Sequence, residues 1–294
     1  MPIDITQKLT GVIENEPMSR HTTYRIGGPA EFFYRTKTTD DLVKAIIVAR
    51  QLQLPLFILG RGSNILVADK GIKGLVISVE TTERTKNNNL VTVAAGAGLG
   101  EFVIWTINQG LAGIEFASGI PGTIGGAIRG NAGAFGSEMK DFVESIEVLT
   151  AGNVRKILPK SECAFGYRES VFKHSDDIIL TSTFKLRPGN KAESLALVDK
   201  YMKQRTAKQD YSIPSAGCVF INPLGNPAAR LIDELGLKGA RIGDAQISST
   251  HANFIINAGQ AKASEVVKLI ALIKEKVKEK YGIELREEIQ LVGF

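Results

Sequence analysis

The chain has 294 residues, of which 44% are hydrophobic and 23% charged, so it is long enough for two or three packed globular units. It contains no apolar run near the ~18 residues that a membrane helix needs, and its first residues lack the order of a secretion signal. We therefore expect a cytoplasmic protein with no membrane partner. The net charge of +5 favours anionic partners, but Lys and Arg are spread along the chain, which favours small anionic ligands over nucleic acid.

Cysteine and histidine are scarce. Cys163 and Cys218 are too few for a disulfide framework, and we expect both to be free thiols in a reducing compartment. The three histidines, at positions 21, 174 and 251, have no close His or Cys partner at ligand spacing. The sequence therefore predicts no metal site.

The predicted elements alternate between helices and strands. Thr38 and Asp41 have the spacing of a capping box and begin a helix whose apolar residues recur at i, i+3, i+4 and i+7. The short apolar run 56–59, bounded by Pro and Gly, predicts a buried strand. The other predicted elements are strands 75–79 and 90–95, helix 101–109, the hairpin 145–149 and 154–158, strand 178–186, helix 192–208, strand 218–221, helix 227–235, strands 245–247 and 253–256, helix 263–281 and strand 283–292. A polar boundary near 188–191 precedes the last group, whose alternation predicts a two-layer α+β domain.

Two glycine-rich segments are the most informative feature. Nine of the thirty glycines lie between Gly110 and Gly136, and Gly60-Arg61-Gly62-Ser63-Asn64 forms a second such turn after the 56–59 strand. Glycine persists in clusters where the backbone turns tightly or lies against a ligand, so both segments are predicted to present N–H groups to an anion, most plausibly a pyrophosphate. The alternative is a loop that only turns corners.

The patterns of the common nucleotide folds are missing. In Gly96-Ala97-Gly98-Leu99-Gly100-Glu101 the last glycine of G-x-G-x-x-G is replaced by Glu101, and no P-loop occurs. This indicates a less common nucleotide architecture.

Three polar clusters could carry chemistry. Arg168 lies beside Tyr167, and its guanidinium fork suits a carboxylate or phosphate, although an ion pair with Glu169 or another acid would explain it equally well. Cys218 follows a glycine at a strand start, where a packed core thiol is the simpler interpretation. Strand alternation in 283–292 places Ile289 and Leu291 on one face and Glu288 on the other, toward a cleft or toward water.

In this order the motifs resemble the UDP-N-acetylenolpyruvoylglucosamine reductase family from about Thr22 to Gly293. The resemblance depends on seven ordered matches: TYRIGG at 23–28, LGRGSN at 59–64, the glycine run 119–136, YRES at 167–170, GCVFINP at 217–223, HANFIIN at 251–257 and the final strand with Glu288.

The resemblance implies an α+β fold: an FAD-binding domain of the vanillyl-alcohol-oxidase (PCMH) type in two subdomains, 1–74 and 75–194. A C-terminal two-layer α/β substrate domain would occupy 195–294, its last strand returning to the active site. It also implies an enzyme that uses non-covalent FAD, with NADPH as co-substrate, to reduce UDP-N-acetylglucosamine enolpyruvate to UDP-N-acetylmuramate for peptidoglycan. A monomer is expected.

The resemblance also assigns residues. Cys218, where the family usually has serine, would donate a proton, and Arg168 and Glu288 would assist it. The residues expected to bind the cofactor are Tyr24, Arg25, Gly60, Arg61, Gly62, Ser63, Asn64, Ser118, Gly119, Gly122, Thr123, Gly125, Gly126, Gly130, Asn131 and Gly133. Those expected to bind the substrate are Tyr167, Arg205, Lys208, Asn222, His251 and Asn253.

The chain departs from part of the family. Val171–Leu180 follows Ser170 directly, which leaves no room for the inserted loop with a lid tyrosine found in one branch. Two other functions stay open at this point: another flavin oxidase or dehydrogenase of the same fold acting on a sugar or hydroxy acid, and a nucleotide-binding module without catalysis.

Overall fold

The computed structural model describes residues 5–207, 209 and 212–294. Within them the α-helices are α1 (Ile5–Lys8), α2 (Thr39–Gln51), α3 (Leu99–Asn108), α4 (Ile124–Arg129), α5 (Lys191–Thr206), α6 (Ala228–Asp233) and α7 (Ala263–Tyr281). The strands are β1 (Ile13–Pro17), β2 (Pro29–Thr36), β3 (Leu56–Leu59), β4 (Ile65–Val67), β5 (Ile72–Val79), β6 (Arg84–Asn87), β7 (Leu90–Ala94), β8 (Leu111–Ala112), β9 (Gly133–Ala134), β10 (Ser137–Glu138), β11 (Val143–Leu149), β12 (Arg155–Pro159), β13 (Ile178–Lys185), β14 (Arg187–Pro188), β15 (Ser215–Cys218), β16 (Arg241–Ile242), β17 (Ala245–Ile247), β18 (Phe254–Asn257) and β19 (Gln290–Val292). Short 3₁₀ turns occur at Met18–Arg20, Glu115–Ala117, Met139–Asp141, Lys160–Glu162 and Val171–Lys173.

The chain forms two compact units. Unit 1 contains Tyr34–Gly60, Leu75–Arg205 and the described part of Met1–Val12, and unit 2 contains Ile13–Phe33, Arg61–Gly74 and the described part of Thr206–Phe294. The chain therefore passes between the units several times. These units are defined by packing, whereas the boundaries 1–74, 75–194 and 195–294 were predicted from ligand roles and stay a prediction.

Unit 1 is built on a five-stranded antiparallel sheet in the order β12-β11-β13-β7-β6. In the same unit, residues 56–59 of β3 pair in parallel with residues 75–78 of β5. Helix α2 begins as predicted, because the Thr38 hydroxyl accepts the Asp41 N–H at 3.1 Å. The buried residues of α2 are those of the predicted apolar face, including Leu42, Ala45 and Ile46.

Unit 2 has a four-stranded antiparallel sheet in the order β15-β18-β17-β16, with α7 packed against β16 and β17. Helix α7 has the predicted bounds, and it ends where Gly282 adopts a φ of +67°. Its buried residues, Val266, Leu269 and Ile273 among them, form one hydrophobic core with residues of α6 and β18. The expected helix layer on a sheet is therefore present in this unit.

The N-terminus of α7 is capped by a residue that is distant in sequence. The Asp69 carboxylate accepts the N–H groups of Ala263 at 2.8 Å and Ser264 at 3.1 Å. Partial burial alone would raise the pKa of Asp69, but the backbone hydrogen bonds from Ala263 and Ser264 outweigh it and the pKa is lowered. This carboxylate therefore stabilises the helix in its ionised form.

The final strand is shorter than predicted. Instead of 283–292, only Gln290–Val292 is a strand, paired in parallel with β4. The residues before it do not alternate between two faces, because they bond to the loop after β15 through an isolated bridge between Phe220 and Glu287. Ile289 is consequently buried and Leu291 exposed, so the predicted shared face of these two residues is wrong.

Among the described residues, no helix is long and apolar enough to cross a membrane.

Candidate functional site

The glycine segment, residues 118–133, lies in unit 1 and contains the short helix α4. Thr123 begins the helix, its hydroxyl accepting the Gly126 N–H at 3.4 Å. The two residues after Thr123 bond elsewhere: the Ile124 N–H donates to the Ala97 carbonyl at 3.0 Å and the Gly125 N–H to the Ala95 carbonyl at 2.8 Å. These bonds attach the segment to the residues that follow β7. The predicted cradle of N–H groups is therefore not supplied by these two residues, because their donors are used inside the protein.

Gly60, the first residue of the second glycine-rich turn, lies against Thr123 in unit 1. A Cβ on Gly60, the first glycine of the second turn, would lie 2.6 Å from the Thr123 hydroxyl oxygen. Gly62 is required for a different reason, since its φ is +61° and a Cβ there would lie 2.2 Å from the His21 carbonyl oxygen. Packing within the chain accounts for both glycines.

Packing does not account for Gly126 and Gly130. A Cβ would meet nothing closer than 3.6 Å at Gly126 and 3.5 Å at Gly130, and neither residue has a positive φ. The Ser118 hydroxyl, by contrast, is buried with no hydrogen-bond partner among the described residues. Unused room and an unsatisfied buried hydroxyl in one segment fit a ligand with hydrogen-bonding oxygens, as the pyrophosphate of FAD would be.

Arg168 is held on a tight turn next to this segment. Gly166 and Glu169 exchange backbone hydrogen bonds at 3.0 and 3.2 Å, which leaves Tyr167 and Arg168 as the two turn residues. Arg168 has a φ of +55°, an uncommon conformation for a residue with a Cβ. Its Nη2 donates to the Gly133 carbonyl at 3.2 Å, and its guanidinium lies 5.3 Å from the centre of the exposed Tyr167 ring.

Two buried side chains fix this turn to the glycine segment. The Asn131 amide donates to Gly166 O at 2.8 Å and to Glu138 at 3.0 Å, and its oxygen accepts the Lys140 N–H at 3.0 Å. The Ser170 hydroxyl donates to Arg129 O at 2.6 Å. The Asn131 side chain therefore holds this turn, and its role in cofactor binding stays a prediction.

Glu169, beside Arg168, binds other partners. One carboxylate oxygen accepts the Ser170 N–H at 2.9 Å and lies 3.0 Å from the ring nitrogen of His174. Burial alone would raise the pKa of Glu169, but the Ser170 hydrogen bond and the charges of Lys173 and His174 lower it. Glu169 is thus an anion whose contacts shape the turn.

Cys218 and Glu288 come together in unit 2. Cys218 is the last residue of β15, so its predicted place at the start of a strand 218–221 is wrong, and it is half-buried. Neither Cys218 nor the buried Cys163 forms a disulfide. The Glu288 N–H donates to the carbonyl of Val219, the residue after Cys218, at 2.7 Å. The isolated Phe220–Glu287 bridge continues this pairing. The predicted proton donor and one of its two helpers therefore share a backbone connection, whereas Arg168 belongs to unit 1.

The Asn253 side chain holds the segment after Cys218. Its oxygen accepts the Phe220 N–H at 3.0 Å, and its amide donates to Phe220 O at 2.8 Å. Both residues are buried, so Asn253 has a structural role here, and its substrate contact stays a prediction. The other predicted substrate residues here are Asn222, exposed, whose oxygen accepts the Ala228 N–H at 2.9 Å, and His251, half-buried, whose ring centre lies 4.6 Å from that of Phe254.

The motif at 23–28 divides between core and surface. The Tyr24 side chain is completely buried in unit 2, and its hydroxyl donates to Ile255 O at 2.7 Å. Burial also raises the pKa of Tyr24, which keeps the phenol neutral. The side chain is therefore part of the core, and the role of Tyr24 in cofactor binding stays a prediction. Arg25 is exposed and lines a cavity of about 310 Å³ with Asp69 and Asn257.

Arg205 lies near the cofactor residues of unit 1. A Cβ on Gly119 would come within 3.0 Å of Arg205 Cδ, and the Arg205 guanidinium lies 5.8 Å from the ring centre of Phe135. Phe135 in turn stacks on Tyr201 of α5 at 4.1 Å. Lys208, the other candidate for the UDP phosphates, lies outside the described residues.

The residues that hold the Arg168 turn were not predicted from the sequence. Ser170 lies in the YRES motif and Arg129 in the glycine run, but neither was assigned a role. A serine within a polar motif can indicate a backbone contact, and the buried Ser170 hydroxyl makes one with Arg129. Burial lowers the pKa of Arg129, while the charge of Glu169 opposes this shift.

Comparison with known proteins shows the family to which the chain belongs. The family model for the UDP-N-acetylenolpyruvoylglucosamine reductase C-terminal domain matches residues 207–292, and that for an FAD binding domain matches 30–156. A UDP-N-acetylenolpyruvoylglucosamine reductase of Caldanaerobacter subterraneus is 44% identical over 280 residues, covering 95% of this chain and 93% of that protein. The chain belongs to the UDP-N-acetylenolpyruvoylglucosamine reductase family.

Further members of this reductase family support the same conclusion. The protein of that name from Lactobacillus acidophilus is 42% identical over 281 residues, covering 95% of this chain and 94% of its own. The crystal structure of the reductase from Thermus caldophilus superimposes with a TM-score of 0.81 at 35% identity, covering 96% of this chain and 98% of that one. The predicted family and the α+β fold, an FAD-binding domain followed by the family's C-terminal domain, are confirmed.

Proposed function

We propose that this protein is an FAD-containing, NADPH-dependent oxidoreductase that reduces UDP-N-acetylglucosamine enolpyruvate to UDP-N-acetylmuramate, a step of peptidoglycan precursor synthesis. The observation that carries the proposal is the match to reductases of this name over nearly their whole length. Within unit 2, the hydrogen bond from the Glu288 N–H to the carbonyl of Val219, the residue after Cys218, supports it. We further propose a cytoplasmic monomer in which 1–74 and 75–194 bind FAD and 195–294 binds the substrate.

The glycine segment and the turn at 60–64 would hold the FAD phosphates. Ser118 offers an unsatisfied hydroxyl, and the space beside Gly126 and Gly130 leaves room for a ligand. Arg61 and Ser63 of the second turn and Arg25 are further candidates. When bound, FAD would supply the hydride taken from NADPH and delivered to the terminal vinyl carbon of the substrate.

The protein's own residues would manage charge and protons. Hydride addition to an enolpyruvyl ether leaves negative charge on the neighbouring carbon, next to a carboxylate, so a cation lowers the barrier. Arg168 would be that cation, its fork suited to the carboxylate. The Cys218 Sγ–H would donate the proton to this carbon, and Glu288 would hydrogen-bond the substrate carboxylate.

The substrate would also be contacted by Tyr167, Asn222 and His251. The exposure of Tyr167 and Asn222 supports this role for these two residues. Lys208 is proposed for the UDP phosphates from the family pattern alone. Arg205 lies against Gly119, which favours a contact with the cofactor phosphates over the UDP phosphates.

A cofactor measurement and an activity assay test the proposal. Purified protein is expected to be yellow and to release one FAD per chain on heat denaturation, and a colourless protein that does not bind added FAD would refute the proposal. NADPH oxidation is then followed with and without UDP-N-acetylglucosamine enolpyruvate. We expect turnover only with the substrate, whereas oxygen consumption with a sugar or hydroxy acid would indicate a different flavin enzyme.

A further inference from the structure

Glu288 is attached to the chain on both sides of its Cα. Its N–H donates to Val219 O at 2.7 Å, and its carbonyl accepts the side-chain amide of Asn64 at 3.1 Å. The carbonyl of Asn64 itself accepts the Gln290 N–H at 2.9 Å. All four residues lie in unit 2. The position of Glu288 is therefore set by the Cys218 segment on one side and by the glycine-rich turn on the other.

The amide of Asn64 replaces a missing ladder hydrogen bond. The parallel pairing of β19 with β4 begins only where Gln290 is opposite Ile65, two residues after Glu288. Asn64 immediately precedes β4 and ends the Gly60–Asn64 turn, so its backbone serves Gln290 while its side chain reaches back to Glu288. A side chain with a donor at this length extends the ladder where regular pairing stops.

We propose that Asn64 is a positioning residue for Glu288, and that its side chain is not a cofactor ligand. The inference depends on the proposed function, because it assigns Glu288 to the step in which the substrate is reduced. Loss of the Asn64 donor lets the Glu288 backbone move relative to Cys218 and so slows the second half-reaction. The first half-reaction, reduction of the flavin by NADPH, does not use Glu288 and is unaffected.

Two substitutions of Asn64 test this. Asn64→Ala removes the donor, and Asn64→Asp keeps the shape but sets an acceptor against the Glu288 carbonyl. Asn88→Asp is the control, since Asn88 is exposed in the turn between β6 and β7 and gains the same charge. For each protein we would measure the melting temperature, the FAD dissociation constant of the apoprotein, and the rates of flavin reduction and reoxidation by stopped flow.

The expected result is selective. Asn64→Ala slows reoxidation by roughly threefold to fivefold, because the Asn64–Glu288 hydrogen bond is exposed and water replaces part of it, and Asn64→Asp slows it more. FAD affinity and the rate of flavin reduction stay within about twofold of the parent. Weaker FAD binding with normal reoxidation would instead show that Asn64 is a cofactor ligand and overturn the proposal.

A double-mutant cycle with Glu288→Gln distinguishes positioning from general destabilisation. If Asn64 acts through Glu288, the double variant reoxidises about as slowly as Glu288→Gln alone, whereas independent effects multiply. Multiplied effects, or failure of both Asn64 variants to fold, would make the contact merely structural and overturn the proposal. Failure of the proposed function is separate, because then the parent itself would not couple NADPH oxidation to the enolpyruvyl substrate.

Discussion

Replacing Asn253 by alanine separates a structural role from a substrate contact. The substitution leaves the N–H and the carbonyl of Phe220 without partners, and both were bonded to the amide at 3.0 and 2.8 Å in a buried region. Each unsatisfied buried group costs about 1–3 kcal/mol, so with some access of water we expect a total loss of about 2–4 kcal/mol. At about 2–4 °C per kcal/mol, the melting temperature should fall by about 4–16 °C.

Asn226→Ala provides a matched control for the thermal unfolding assay. Asn226 also makes two side-chain hydrogen bonds in unit 2, to Leu224 O at 3.2 Å and from Arg230 at 2.9 Å, but both are exposed. Water can replace these contacts, so this variant should lose less than about 1 kcal/mol. The comparison isolates burial as the cause of the difference.

Kinetics complete the test of Asn253. If its amide contacted the substrate, Asn253→Ala would raise the KM for the enolpyruvyl substrate and leave the melting temperature nearly unchanged. That outcome would refute the reasoning from the Phe220 contacts. An equal loss of stability in Asn253→Ala and Asn226→Ala would refute it as well, because burial would then not matter.

Three further predictions concern the catalytic residues and α7. Arg168→Lys and Glu288→Gln should leave flavin reduction by NADPH nearly intact but slow reoxidation at least tenfold, that is by more than about 1.4 kcal/mol; slow reduction with normal reoxidation in stopped-flow traces would assign them to NADPH binding instead. Cys218→Ser should keep much of the activity while Cys218→Ala stalls at reoxidation, and the reverse order would identify a packed thiol. Asp69→Asn should lower stability at pH 7 by about 0.5–2 kcal/mol. Because the pKa of Asp69 is lowered in the folded state, its contribution to stability is complete above the unfolded pKa of about 4 and is lost as pH falls through the folded pKa. The unfolding curves of parent and variant should therefore converge in acid, and a constant difference between them would contradict this.

Local signals predicted the regular elements well. The capping pair Thr38 and Asp41 and the apolar period of α2 are sufficient to begin and orient that helix, and α7 was predicted to the residue. The prediction of the final strand was wrong for a physical reason. Alternation describes a strand inside a ladder, but residues before Gln290 bond to the irregular segment after Cys218, and such a pairing leaves no period in the sequence.

Ligand roles of single residues were harder to predict than the segments that contain them. The glycine segment lies beside the Arg168 turn, and the Glu288 N–H is bonded to the carbonyl of the residue after Cys218. Tyr24 shows the difficulty. Its motif was singled out for cofactor binding, yet the phenol is buried with its hydroxyl on Ile255 O, a contact 231 residues away in sequence. Contacts at such separation cannot be read from one chain.

Three of the four asparagines that the motifs contributed to the predicted ligand sites share one physical role. Asn131 holds the turn that carries Arg168, Asn253 holds the segment after Cys218, and Asn64 holds the carbonyl of Glu288. Arg168 and Glu288 lie in irregular backbone, and Cys218 directly precedes such a segment, where no ladder or helix supplies the missing partners. An amide both donates and accepts, so it can replace those partners at the length of a side chain. The same property suits an amide to a ligand, which explains why the sequence alone did not separate the two roles. It also follows that a motif asparagine in such a site is first to be tested for the backbone group it satisfies, by measuring stability beside activity.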